Sequence, residues 1–193
     1  MKQFVFLYPI PEIIDFEIGN HAWSEKGGIE VFRQKYKTVI NNCIDARYRQ
    51  KGFGINYAVF DGSPVSEVVE LQDSDRVIEV GLDFKTHATK QSNGEYPYPD
   101  QDYILNQLDG TRVIRVAGFH MWDCVEKLAK RAYERGLDTL VDEDLTEFFS
   151  GRLRDPDFKI DVYPTYNPRK NQGSMFDMFI EARKERPWLW QDY

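Results

Sequence analysis

Short apolar runs alternate along the chain with longer stretches in which apolar residues recur every three or four positions. That alternation predicts a parallel sheet covered on both faces by helices. The first run, QFVFLY at 3–8, reads as a strand stopped by Pro9 and Pro11, and a polar loop is expected from there through His21 and Trp23 to Gly27 and Gly28. Residues 29–50 predict a long helix, with Phe32, Tyr36, Val39, Cys43 and Ala46 on one face and Arg47, Arg49 and Lys51 near its end, where the dipole favours cations. Gly52 and Gly54 end that helix and lead into a second strand at 55–60, followed by a third at 76–84. A polar, Gly- and Pro-punctuated loop then tips into a short helix around 103–108, and RVIRVAG at 112–118 forms the fourth strand. Val125, Leu128, Ala129, Ala132 and Tyr133 mark a helix over 123–135 that Gly136 terminates, and 137–144 is a fifth strand. FKIDVY at 158–163 reads as a sixth, at an edge.

The expected architecture is therefore α/β, a three-layer α/β/α fold around a doubly wound, mainly parallel sheet of five or six strands. The body spans 1–165. A C-terminal segment, 166–193, carries an amphipathic pattern in MFDMFIEARKE and ends in WLWQDY. Its Trp188, Trp190 and Tyr193 call for burial, on the body of the domain or on a second subunit of a homo-oligomer.

Composition narrows the function classes. The net charge of −7 lacks the basic face that phosphate neutralisation requires, so nucleic acid is not an expected partner. No apolar run approaches a membrane span, and the N-terminal run is too short for a secretory signal, so a cytoplasmic protein without a membrane partner is expected. Two cysteines, Cys43 and Cys124, make neither a disulfide framework nor a zinc cluster, so both are expected to be reduced. Cys43 lies on the helix face that the periodicity assigns to the core.

Three segments follow strand ends and are expected to meet in the crevice where a doubly wound sheet binds ligands: 8–12, 85–90 and 118–124. In DCVE, Asp123 stands where an N-cap belongs and Glu126 completes the spacing of a capping box. Cys124 then falls at the first helical position. There the helix dipole and unpaired amides stabilise a thiolate and can hold an oxyanion, while the two flanking carboxylates oppose ionisation.

Gly118, five intervening residues, then Cys124, Val125 and Glu126 with Ala129, Ala132, Tyr133 and Gly136, and EDLT at 143–146, resemble the signature of the isochorismatase-like cysteine hydrolases. The resemblance covers this run and the order of elements before it, and fades after EDLT. It implies a three-layer fold, Cys124 as nucleophile and Lys85 as the supporting lysine, with Lys90 the runner-up. It also implies a cis peptide at Phe119-His120. The family's catalytic Asp has no counterpart: alignment of the strand ends sets Tyr8 there, and alignment on Asp15-Phe16 sets Pro11 there. Glu12 or His120 is left as the replacement base. The family's loop before the cysteine is small, whereas FHMWD is bulky, so Met121 and Trp122 are expected to narrow or fill the pocket. The metal-binding Asp-x-His of one branch is absent from FDGSPVSE, so neither metal nor other cofactor is expected.

Two readings follow. One is a metal-free cysteine hydrolase of a small amide or ester, with Cys124 attacking, Lys85 assisting, Glu12 or His120 as base, and backbone amides near Cys124 holding the oxyanion. The other is a family member that has lost hydrolysis and binds a small ligand or serves in assembly, with Tyr8, Trp23, Phe119, His120 and Trp122 lining or plugging the pocket. A dinucleotide-binding oxidoreductase is disfavoured because no strand is followed by G-x-G-x-x-G.

Overall fold

The computed structural model describes residues 1–154 and 174–191. Five strands form one sheet in the order β3-β2-β1-β4-β5: β1 Lys2–Leu7, β2 Gly54–Val59, β3 Arg76–Glu79, β4 Val113–Gly118 and β5 Asp138–Thr146. Every pairing is parallel. The candidate sixth strand at 158–163 lies outside the described residues.

β1 sits at the centre and is buried on both faces, which is why it reads as continuous apolar sequence rather than alternation. Phe4 and Phe6 join a core with Ile14, Ile18, Phe32 and Ile44, under α1 (Pro11–His21) and α2 (Gly28–Arg47). Val5 and Leu7 point the other way and join a core with Ile104, Leu128, Ala132 and Phe179. That second layer is made by α4 (Gln101–Asn106), α5 (Glu126–Glu134) and α7 (Ser174–Glu185). Two further single-turn helices, α3 (Phe84–His87) and α6 (Phe149–Arg152), cap strand-end connections. Helices thus cover both faces of the sheet.

The segment after β1 is not the expected polar loop. Pro11 opens α1, since its fixed φ and missing N–H suit the first helical position, and Ile14, Glu17 and Ile18 bury one face. The third strand stops at Glu79 rather than continuing to Phe84. Arg47, at the helix end where the dipole favours a cation, is fully buried. Its Nη1 donates to both oxygens of Asp142 at 2.8 Å, and its Nη2 donates to Asp144 at 3.0 Å. The Tyr48 hydroxyl adds a 2.5 Å bond to Asp142, and Arg152 Nε a 2.6 Å bond to Asp144. Burial holds the Asp142 carboxyl above its ordinary range, against the pull of Arg47.

The described part of the C-terminal segment packs on the body of the same chain. Phe179, Trp188 and Leu189 are buried in the second core, Arg183 Nη2 donates to Glu143 at 2.5 Å, and the Val141 amide donates to the Trp188 carbonyl at 2.9 Å. That last bond covers part of the open edge of β5. Tyr133, expected on the buried stripe of α5, stays about half exposed and only edges Trp188. Among the described residues, no helix is long and apolar enough to cross a membrane.

At the end of β4, Gly118 has φ +105°, and a Cβ placed there would lie 2.1 Å from the Leu7 carbonyl oxygen. Gly136 also has positive φ, +79°, but open space around its Cβ position. Gly118→Ala is therefore expected to cost at least about 3 kcal/mol, or to prevent folding, and Gly136→Ala about 1 kcal/mol. Denaturant unfolding of the two variants checks the difference.

Candidate functional site

The crevice lies at the carboxyl ends of β1, β3 and β4, as a doubly wound sheet requires. It holds a cavity of about 290 Å³. Tyr8 enters from the end of β1; Glu12, Ile13 and Phe16 come from α1, Phe84 and His87 from α3, and Phe119, His120 and Cys124 from the connection after β4. The three segments expected to meet do meet.

Tyr8 is the only described non-glycine residue with positive φ, +58°. Its amide continues the sheet by donating to the Ala58 carbonyl at 2.7 Å, while the left-handed backbone redirects the side chain into the crevice. The ring stacks on Phe60, with centroids 4.2 Å apart and planes at 20°. Its hydroxyl stands near enough to the Cys124 thiol for each group to shift the ionisation of the other. Burial, then the charge of Cys124, pushes the Tyr8 phenol well above its ordinary value. Burial, then the charge of Asp123, pushes the Cys124 thiol up to about 12, only partly opposed by Lys127 and by the Tyr8 bond. The two partners are neutral at physiological pH.

Cys124 is not at the first position of a helix. The chain turns earlier, in a π-helical turn over Met121–Val125, and the Phe119-His120 peptide is cis. No capping box forms. Asp123 binds Lys127, and Glu126 binds Arg186. Glu147, just past β5, does the work of the cap: its two carboxylate oxygens accept the Met121 amide at 3.0 and 2.7 Å. The amides of Asp123 and Val125 both donate to the His120 carbonyl at 3.1 Å. Three amides of this turn are therefore committed within the protein, which narrows the oxyanion site that the loop was expected to supply. Burial raises the carboxyls of Glu17 and Glu147; the charge of His120 opposes it at both, and Glu147 adds a smaller push at Glu17.

Of the expected site residues, Tyr8, Glu12, Phe119, His120 and Cys124 share the cavity. Three do not. Lys85 is exposed on α3 and is not a cavity wall, nor is Lys90. On a single helical turn, Phe84 and His87, three apart, face inward and Lys85 faces out. The lysine whose charge does reach Cys124 is Lys127, one turn along α5. Trp23 is 81% exposed under the Arg154 guanidinium, away from the cavity. Trp122 turns outward onto Phe179, with ring centroids 5.0 Å apart, and lines a neighbouring groove of about 380 Å³ beside α5 and the C-terminal segment. Met121 sinks into the core. The bulky loop thus leaves the cavity open instead of filling it.

His87 is the main residue that sequence reasoning missed. Its ring stacks on Phe60 at 4.8 Å and meets Tyr98 edge-on at 5.4 Å. Nδ1 lies 2.7 Å from the Pro97 carbonyl, which can only accept, so in the neutral ring Nε2 is left as an acceptor. The available signal was DFKTH, in which the Asp83 carboxylate caps the Thr86 amide at 2.9 Å and sets Phe84 and His87 on one side. Among the described residues, no group of three His, Cys, Asp or Glu converges to hold a metal ion.

The class of protein defined so far is an α/β domain with an aromatic pocket at the switch point of its sheet. The chain matches no family model and no curated protein.

Glu147→Ala removes the acceptor from the buried Met121 amide. It is expected to lower stability by about 1–3 kcal/mol in denaturant unfolding; a variant as stable as the parent would show that Glu147 does not hold the turn.

Proposed function

We propose that the protein is a divergent relative of the isochorismatase-like cysteine hydrolases that binds a small molecule without hydrolysing it. The observation that carries this reading is the Tyr8–Cys124 pair. At the strand end where the family resemblance calls for an aspartate, a phenol stands against the thiol. A carboxylate there can take the thiol proton; a phenol held above its ordinary pKa cannot. Burial, then the charge of Asp123, holds the thiol in its protonated form at neutral pH. The expected lysine lies outside the cavity, and the pull of Lys127 on the thiol is outweighed by burial and by the charge of its own partner, Asp123. What remains is a half-open cleft walled mainly by aromatic and imidazole rings with a few polar groups, a common form of small-ligand site.

A hydrolase reading retains one observation in its favour, since Glu12 and His120 share the cavity with Cys124. Turnover separates the two. The binding reading predicts that small aromatic fragments bind in ligand-observed NMR. It also predicts that the protein cleaves p-nitrophenyl esters and anilides no faster than its Cys124→Ala variant, and that iodoacetamide modifies Cys124 as slowly as buried Cys43. Hydrolysis that disappears in Cys124→Ala would establish the hydrolase reading instead.

A further inference from the structure

Resting on the binding reading above, we infer that the cavity takes a small organic cation, an ammonium or amidinium group on a compact apolar body. Four aromatic rings contribute to the walls, from Tyr8, Phe16, Phe84 and Phe119, and the one carboxylate among the described walls is that of Glu12, with the imidazoles of His87 and His120 also present. Among the described residues, no lysine or arginine lines the cavity. Lys127, whose charge reaches Cys124, is bound to Asp123 and lies 3.8 Å from the centroid of the Tyr98 ring, and the charge of His120 is directed at the carboxylates of Glu17 and Glu147 behind the wall.

An anionic ligand entering this chamber would lose its hydration and meet the Glu12 carboxylate, with no lysine or arginine among the described walls to compensate, which is a large desolvation cost. A cation meets the negative faces of aromatic rings and one opposite charge, the combination by which aromatic cages recognise amines. His87 contributes in the same sense. Because Nδ1 is engaged by the Pro97 carbonyl, the ring offers an acceptor at Nε2, suited to an ammonium N–H and not to a carboxylate. The position of Glu12 matters too. It sits in the first turn of α1 with Phe16 one turn further on, exposed and at the rim, so an amine held there keeps part of its hydration while its apolar body enters. The overall charge of −7 favours the approach of such a ligand over long range.

The test uses three probes of one shape and different charge, benzylamine, benzyl alcohol and benzoate, titrated at pH 7 into the full chain by protein-observed NMR. Benzylamine is expected to bind at least about tenfold tighter than benzyl alcohol, and benzoate weaker than both. Glu12→Gln should weaken benzylamine about tenfold and leave benzyl alcohol within about twofold. Benzyl alcohol or benzoate binding as tightly as benzylamine, or an amine affinity unmoved by Glu12→Gln, would overturn the charge assignment while leaving the binding reading in place. Failure of all three to bind would overturn both.

Discussion

Gly118 touches the backbone of Leu7, and the crevice of the molecule begins at that contact. β1 and β4 are neighbours, yet the chain leaves β1 towards α1 on one face of the sheet and leaves β4 towards α5 on the other. Parallel strands whose connections diverge open a gap at their carboxyl ends. Only a residue without Cβ can close the strands this tightly just before the gap. Four of the residues that line the cavity follow directly from this point, Tyr8 one residue beyond Leu7, and Phe119, His120 and Cys124 just beyond Gly118, while α3 closes it from the end of β3.

The walls are then held by charges placed behind them. Asp142 and Asp144 point from β5 to one face, where Arg47 and Arg152 meet them, and Glu143 points to the other, where Arg183 meets it. A buried pair of this kind adds little net stability compared with apolar packing, but losing one partner strands the other charge in the core. Its effect is to fix the register of β5 against α2 and α7. Glu147, which follows directly, is thereby set where it can accept the Met121 amide and hold the turn that carries Cys124. The family-like EDLT motif thus acts, in this chain, as scaffold for the thiol's loop.

Much of this was legible in the sequence. The five strands, the two long helices and the meeting of three strand-end segments follow from periodicity and turn residues, because those are local signals. α1 was missed although Ile10, Ile13, Ile14 and Ile18 carry helical spacing; the two prolines outweighed it, and Pro11 proved to start the helix rather than end the order. The helix dipole accounts for a cation at Arg47 but not for its burial, because its partners Asp142 and Asp144 lie far along the chain. The same limit applied to the site. Spacing along the chain identified Tyr8, Glu12, Phe119, His120 and Cys124, but which side of a single turn faces inward separates His87 from Lys85. The outward turn of Trp122 depends on Phe179, far along the chain, with which no short motif could pair it.

The proposed binding function turns on Tyr8 and Cys124 standing together as neutral, buried groups. A direct thiol titration tests that claim: ultraviolet thiolate absorbance of a Cys43→Ala variant followed from neutral to strongly alkaline pH. The account predicts that Cys124 ionises only near its elevated value of about 12. A thiol titrating below the ordinary cysteine value of about 8.5 would contradict it.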